Sequence, residues 1–557
     1  FDNHEDPTTI VNTFFKKYQA RRSAQSQINL LFRFIQYIER QVVLFDAVED
    51  AAFPVVNNME GIGTLRSLKE NAQAENKIEL LQEYLEAFKV RIVLTAHPTQ
   101  FYPGTVLGII TDLAEAIKVD NLTEIRSLLG QLGKTPFFKD KKPTPYDEAV
   151  NLIWYLKNVF YHSFGDIYDY VQTNIFEEKE IDNSIVNIGF WPGGDRDGNP
   201  FVTPQITLNV ARKLKESIIK NYIKDVKYLR RRLTFKGIRE RIIDLNHRLH
   251  NTLLHKDHST RISLVEFRQE LYDIRDVLIN EHQSLFVDKV TTLINRTTLF
   301  GYHFASLDIR QDSRVHDAMF RVLVKELIEN KTEFFPEDFF DYSLDKQLKH
   351  LSEIKGLIAE DIEFKDEMAI NIVETIRAMK TIQDKNGEIA CNRYIISNNQ
   401  TTMNVLQLFA MLKIIAFGDN LTADVVPLFE TVTDLEASPA VMEELYTNPN
   451  YRKHLVERGN KQTIMLGFSD GTKDGGYLMA NWAIFKAKER LTALSRKYDI
   501  DVIFFDGRGG PPARGGGKTH QFYASLGPTI EDKEIQLTIQ GQTISSNFGT
   551  IDSSQYN

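Results

Sequence analysis

The strongest constraint on this chain is a set of short apolar runs, each of strand length and each ending in an unusual polar loop: Ile92 to Thr95, Ile185 to Phe190, Phe304 to Ile309, Val425 to Phe429, Ile464 to Phe468 and Val502 to Phe505. Runs of this length, bounded by polar or Gly/Pro punctuation, read as buried strands. Between the last two, a helical segment carries Leu478, Trp482 and Phe485 on one face, followed by Leu491 and Leu494. Strand, helix, strand implies a parallel β/α unit, because parallel neighbours need a long crossover. In such architectures the C-terminal strand ends converge on one mouth, where barrel enzymes keep their chemistry.

The rest of the chain reads as helix. From Thr9 to Ala87 apolar residues recur at three- and four-residue intervals, as in Ile28, Leu31, Phe34, Ile35 and Ile38. Similar stretches fill Asp147 to Val171, Ile206 to Arg232, Leu264 to Asn280 and Asp317 to Glu329, while Pro143 and Pro145 break the pattern in between. The expected fold class is therefore mostly α with parallel β/α units of the kind a β/α barrel uses, although periodicity alone does not show a closed barrel. Strand ends are expected near residues 95, 190, 309, 429, 468 and 505. Fewer than eight units are visible, so the barrel is expected to be incomplete in this chain.

Composition narrows the function classes. A formal net charge of −9 argues against a polyanion-binding surface spread over the protein, so nucleic acid is not an expected partner. The lone Cys391 excludes an internal disulfide and fits a reducing cytoplasm. The sequence shows no secretion leader, and the apolar stretch Leu406 to Phe417 is short and interrupted by Lys413, so no membrane partner is expected. The first residue is not methionine and a sequence motif runs to Asn557, from which we expect a piece of a longer protein, inactive alone because its barrel edges would be unpaired.

Several loops carry residues suited to chemistry. His97, in Thr95-Ala96-His97-Pro98-Thr99, follows a strand and suits proton transfer or donation to an anionic oxygen, with a structural histidine as the alternative. Trp191 to Pro200 reads WPGGDRDGNP; Asp195, Asp197 and Asn199 imitate a calcium loop, but Pro200 and Ile206 stand where glycine and glutamate are required. A tight turn that holds other active-site groups is the simpler reading. In Leu307-Asp308-Ile309-Arg310-Gln311, Asp308 and Arg310 share one face of a strand, as a structural ion pair or with Arg310 facing a carboxylate or phosphate. Glu430 and Asp470 both lie at strand ends, where two carboxylates suit Mg2+ or Mn2+, although Asp470 also suits a helix cap; Lys473 follows three residues later. Asp506-Gly507-Arg508-Gly509-Gly510, continuing to Arg514-Gly515-Gly516-Gly517, can wrap an anion. Pro512 occupies a glycine position of both the P-loop and the dinucleotide fingerprint, which excludes them. An RNA-binding Arg-Gly-Gly tract would be repetitive and disordered, whereas this one follows a strand.

In this order the motifs resemble phosphoenolpyruvate carboxylase. The matching strings are VLTAHPTQ at Val93 to Gln100, KPTPYDEA at Lys142 to Ala149, GGDRDGNP at Gly193 to Pro200, LDIRQDS at Leu307 to Ser313, VPLFET at Val426 to Thr431, MLGFSDGTKDGG at Met465 to Gly476 and GRGGPPARGGG at Gly507 to Gly517. The resemblance implies a phosphoenolpyruvate/pyruvate-type TIM barrel, a cytoplasmic, allosteric homotetramer, and Mg2+ or Mn2+ as cofactor. It also implies carboxylation of phosphoenolpyruvate by bicarbonate to oxaloacetate and phosphate, through carboxyphosphate and the pyruvate enolate, replenishing the tricarboxylic acid cycle. By the same resemblance His97, Lys473, Arg508 and Arg514 are catalytic, Glu430 and Asp470 bind the metal, and Arg310, Arg508 and Arg514 handle phosphate and carboxylates.

The chain departs from the family in three ways. Gln100-Phe101-Tyr102 stands where the family places a glutamate and two basic residues, and Asp506 replaces a histidine. Asp506 is then expected to belong to the catalytic set by orienting Arg508 or Arg514, with His520 a weak substitute for the missing imidazole. Members of the family also run beyond Asn557, into a part expected to hold further barrel strands, an active-site arginine and most of the aspartate inhibitor site. The competing readings are another metal-dependent barrel enzyme acting on phosphoenolpyruvate or pyruvate, a non-catalytic paralogue suggested by Asp506, and the RNA-binding tract.

Overall fold

A computed structural model describes residues 6–95, 102–137, 143–177, 179, 181, 183–254, 258–507 and 519–557. The chain divides into two compact units, residues 1–59 with 102–140, and residues 60–101 with 141–557. The first is helical. Its long helix Ala24–Val56 contributes Val43 and Ala47 to a core shared with Val106, Ile110 and Leu113 of Gly104–Lys118 and with Leu128 and Leu132 of Leu122–Lys134. Tyr102 Oη donates to Asp46 Oδ2 at 2.9 Å within the same unit.

The second unit holds a closed parallel barrel. Its strands are β1 (Lys89–Thr95), β2 (Val186–Phe190), β3 (Ser306–Asp312), β4 (Arg393–Ser397), β5 (Asp424–Phe429), β6 (Lys461–Gly467), β7 (Asp501–Gly507) and β8 (Glu534–Gln540). Closure comes from β8, which pairs with β7 through Phe504↔Ile535 and with β1 in continuous register from Lys89↔Glu534 to Thr95↔Gln540. The barrel thus closes with the strands of this chain, which corrects the expectation that it is incomplete here and needs further strands for closure. Among the described residues each barrel strand has a neighbour on both sides, so the barrel has none of the unpaired edges expected to inactivate the chain.

Two strands escaped the sequence reading for physical reasons. In β8, Gln536 and Thr538 are buried polar residues that face the lumen, so the strand carries no continuous apolar run. In β4, only Tyr394, Ile395 and Ile396 are apolar, behind a short 3-10 turn.

Helices wrap the barrel, and their starts are set by local chemistry. Asp312 ends β3 and its carboxylate accepts from Arg314 N, so the helix Ser313–Glu329 begins at once. Directly after Glu430, Thr431 and Asp434 form a reciprocal cap on Val432–Thr447. Thr144 and Asp147 do the same for Pro145–Tyr155, with Pro145 in the first turn. The lumen is filled by Val93, Ile395, Val426, Leu428, Met465 and Phe505, together with Trp191. No helix among the described residues is long and apolar enough to cross a membrane.

Candidate active site at the C-terminal mouth of the barrel

Side chains alternate along a strand, so Ser306, Asp308 and Arg310 of β3 all face the lumen. Asp308 and Arg310 do share a face, yet Asp308 pairs with Arg91 of β1 at 2.7 Å, both side chains being almost wholly buried. Gly189 of β2 makes room for this pair, since a Cβ there would lie 2.6 Å from Arg91 Nη2. Trp191, just beyond β2, donates from Nε1 to Asp308 Oδ2 at 3.1 Å. Its ring in turn lies under the Arg310 guanidinium, 5.0 Å from the centroid. A buried ion pair in the barrel core thereby supports the shelf on which the mouth arginine rests.

Arg310 is held from above by the loop after β2. Its Nη1 donates to Asp195 Oδ2 at 3.1 Å and its Nη2 to Asp197 Oδ2 at 2.5 Å. The loop backbone docks against the same residue: Arg310 N donates to Gly194 O and Arg196 N to Arg310 O. Arg196 then pins the loop, donating to Val202 O at 3.1 Å and to Thr375 and Asn371 of the helix Glu367–Asn386. Burial alone would lower the Arg310 pKa, but Asp195, Asp197 and Glu430 hold it above its ordinary value. Burial raises the pKa of Asp195 against the opposing pull of Arg310. The WPGGDRDGNP segment is therefore a tight turn that holds Arg310 at the mouth of the barrel.

Glu430, the residue after β5, faces the same mouth. Its Oε1 lies 3.9 Å from Arg310 Nη2, and its Oε2 accepts from Asn398 N at 2.7 Å. The backbone after β6 comes in close beside it. A Cβ at Gly467 would stand 3.1 Å from Glu430 Cγ, and one at Gly471 3.1 Å from Glu430 O. This brings the backbone of Asp470 next to Glu430; of Asp470 and His520 the backbone alone is described. The helix Ser469–Lys497 starts here with no side-chain cap, carries the exposed Lys473 near its start, and breaks helical geometry at Gly476, where φ is 78°. Asp474 Oδ2 accepts from Val432 N at 3.1 Å, tying this turn to the helix after Glu430.

Asp506 is not part of that group. Phe505 fills the lumen, so its neighbour Asp506 faces the helix layer, fully buried. There Lys488 Nζ and Tyr523 Oη each donate to its Oδ2 at 2.8 Å. His97, Arg508 and Arg514 lie outside the described residues. The structure thus brings Arg310 and Glu430 together and adds Arg91, Trp191, Asp195, Asp197 and Asn398, which the sequence reading did not assign to the site. The alternation of Asp195 and Asp197 around Arg196 was the available signal for two of these. Among the described residues no group of three or more His, Cys, Asp or Glu side chains is poised to hold a metal.

The sequence matches the family model "Phosphoenolpyruvate carboxylase" over residues 49–261 and 232–557. Among similar proteins, the phosphoenolpyruvate carboxylase of Nitrosomonas europaea is 28% identical over 550 residues, covering 87% of this chain and 58% of the relative. That of Nitrosomonas eutropha is 29% identical, covering 88% and 58%. That of Rhodothermus marinus is 27% identical, covering 83% and 56%. This chain therefore spans somewhat more than half the length of these relatives. With the barrel, the mouth and the match over nearly all of its sequence, the chain belongs to the phosphoenolpyruvate carboxylase family.

Proposed function

We propose that the protein carboxylates phosphoenolpyruvate with bicarbonate, giving oxaloacetate and phosphate. The observation that carries this reading is the pairing at the mouth of a half-buried arginine with a strand-end carboxylate, Arg310 with Glu430 at 3.9 Å, inside a chain of this family. One group suits phosphate or carboxylate, the other a divalent metal. Glu430 and Asp470 would hold Mg2+ or Mn2+. The fit rests on their hard oxygen donors and on Gly467 and Gly471, whose missing side chains let the two backbones approach. Such an ion supplies charge neutralisation for a phosphoryl group.

In the proposed reaction a bicarbonate oxygen attacks phosphorus, the bond from phosphorus to the enol oxygen breaks, and carboxyphosphate and the enolate of pyruvate form. Carboxyphosphate then gives up carbon dioxide and phosphate, and the enolate carbon bonds to the carbon dioxide. Arg310, Arg508 and Arg514 would hold the phosphate and carboxylates, and Lys473 would add a cation. His97 would take the proton that bicarbonate must lose. Asp195 and Asp197 keep the Arg310 fork oriented, and Trp191 keeps water from one of its faces. Asp506, bonded to Lys488 and Tyr523, would fix the strand end from which Arg508 follows and so orient Arg508 or Arg514. We further propose a cytoplasmic, allosterically regulated homotetramer that replenishes the tricarboxylic acid cycle.

The test is oxaloacetate formation by the whole protein carrying these residues, followed by coupled reduction to malate. The rate should require phosphoenolpyruvate, a divalent metal and bicarbonate together. Turnover that persists without bicarbonate, or that requires a nucleotide, would refute the reading.

A further inference from the structure

The opposite end of the barrel has a charge imbalance that the proposed chemistry does not use. Lys89 opens β1, Arg393 opens β4, Lys461 opens β6 and Glu534 opens β8. By alternation with Val93, Ile395, Met465 and Gln536, all four face the lumen. Together with Arg458 and Asp424 they line a cavity of about 210 Å³. Asp424 is taken by Arg458 at 2.7 Å. Glu534 lies 3.6 Å from Lys461, and Asp501 3.9 Å from Lys533. One layer higher, Arg91 is matched by Asp308. In the lower lumen the four cations Lys89, Arg91, Arg393 and Lys461 thus meet the two carboxylates Asp308 and Glu534, an excess of two positive charges.

Lys89 and Arg393 account for the excess. Among the described residues neither has a carboxylate within ion-pairing distance. Arg393 Nη1 donates to Asn392 Oδ1 at 3.1 Å, whereas its Nε is buried with no hydrogen-bond partner. The two side chains also feel each other: burial lowers the Lys89 pKa most, Glu534 opposes, and Lys461 and Arg393 lower it further. Unpaired charge in a recess is costly unless a counter-ion joins it, and a guanidinium beside an ammonium matches a tetrahedral oxyanion.

We propose that the N-terminal end of the barrel holds a binding site for a small dianionic phosphate group, built by Lys89 and Arg393 and separate from the catalytic mouth. This inference does not depend on the carboxylase reading. Inorganic phosphate is titrated by calorimetry at constant ionic strength into the protein and into the variants Arg310→Met, Lys89→Met, Arg393→Met and Glu534→Gln. Binding should survive Arg310→Met, which addresses the mouth. It should weaken roughly tenfold or more in Lys89→Met and in Arg393→Met, as expected for loss of a charge-assisted hydrogen bond. Glu534→Gln, which removes a competing carboxylate, should tighten it, and this arm stands even if the other variants misfold. Glycerol phosphate binding more tightly than inorganic phosphate would assign the site to a phosphomonoester, and the reverse to free phosphate; either sustains it. Binding that is lost with Arg310 alone, that is indifferent to Lys89 and Arg393, or that weakens in Glu534→Gln would overturn the proposal.

Discussion

Replacing Asp308 by asparagine removes one charge from the barrel core while keeping the side chain's shape. Arg91 and Asp308 are 1% and 0% exposed, so no solvent is at hand to replace the lost partner. Breaking a buried pair from one side costs about 3–5 kcal/mol, because the remaining charge stays buried. The surroundings make matters worse, since Arg393 already opposes the charged form of Arg91, after burial as the largest effect. A chain of this size with two compact units is a poor subject for a single unfolding free energy, so local opening is the better readout. Native-state hydrogen exchange of β1 and β3 amides should accelerate roughly 100-fold or more, at about 1.4 kcal/mol per factor of ten. Exchange elsewhere should change far less. The double variant Arg91→Met with Asp308→Leu should recover most of the protection, because it leaves no orphan charge. If Asp308→Asn alters β1 and β3 exchange by only about threefold or less, the cost of stranding a buried charge is misjudged here, and so is the support we assign to Trp191 and Arg310.

Three further outcomes follow from the same geometry. Glu430→Gln should raise the Mn2+ concentration needed for half-maximal activity by roughly tenfold or more, since a neutral amide is a poor ligand for a hard cation; an unchanged metal titration would make Glu430 structural. His316 is 1% exposed, neither ring nitrogen has a hydrogen-bond partner among the described residues, and burial, with Arg196 second, lowers its pKa to about 3. Its folded pKa lies below its unfolded one, so the stability it supports is fully present above about pH 6.5 and is lost as pH falls from there towards 3. His316→Phe should therefore move the acid-unfolding midpoint to lower pH while leaving stability near pH 7 little changed, read by circular dichroism against pH; an unmoved midpoint would show that His316 does not contribute to acid lability. Asp197→Asn should loosen Arg310 and raise the KM for phosphoenolpyruvate more than it lowers kcat, whereas a pure kcat effect would place Asp197 in the chemistry itself.

Much of the fold was legible because barrel strands with apolar lumen residues declare themselves. Val502 to Phe505 and Val425 to Phe429 are buried on both sides, and each sits inside a strand. β8 was illegible for the opposite reason: Gln536, which accepts from Arg91, and Thr538 point inwards, so a core strand looks like a surface one. The site divides along the same line. Arg310 and Glu430 were visible as polar residues closing apolar runs, and the structure sets them at one mouth. The loop that carries Asp195 and Asp197 was legible as a holding turn, but the deeper support was not, because pairing Asp308 with Arg91 rather than Arg310 requires contacts 217 residues apart in sequence. Asp506 also has partners that its neighbours in the chain do not announce, Lys488 and Tyr523 from flanking helices.

The central claim is that bicarbonate attacks phosphorus and that its carbon then joins the enolate. The most direct measurement uses bicarbonate labelled with 18O in all its oxygens, with the products separated early in the reaction by the whole protein. The account predicts one labelled oxygen in the phosphate released and the remaining label in the new carboxylate of oxaloacetate. Phosphate free of label, with oxaloacetate still formed, would contradict it, because the carbon would then have arrived without any bond between bicarbonate oxygen and phosphorus.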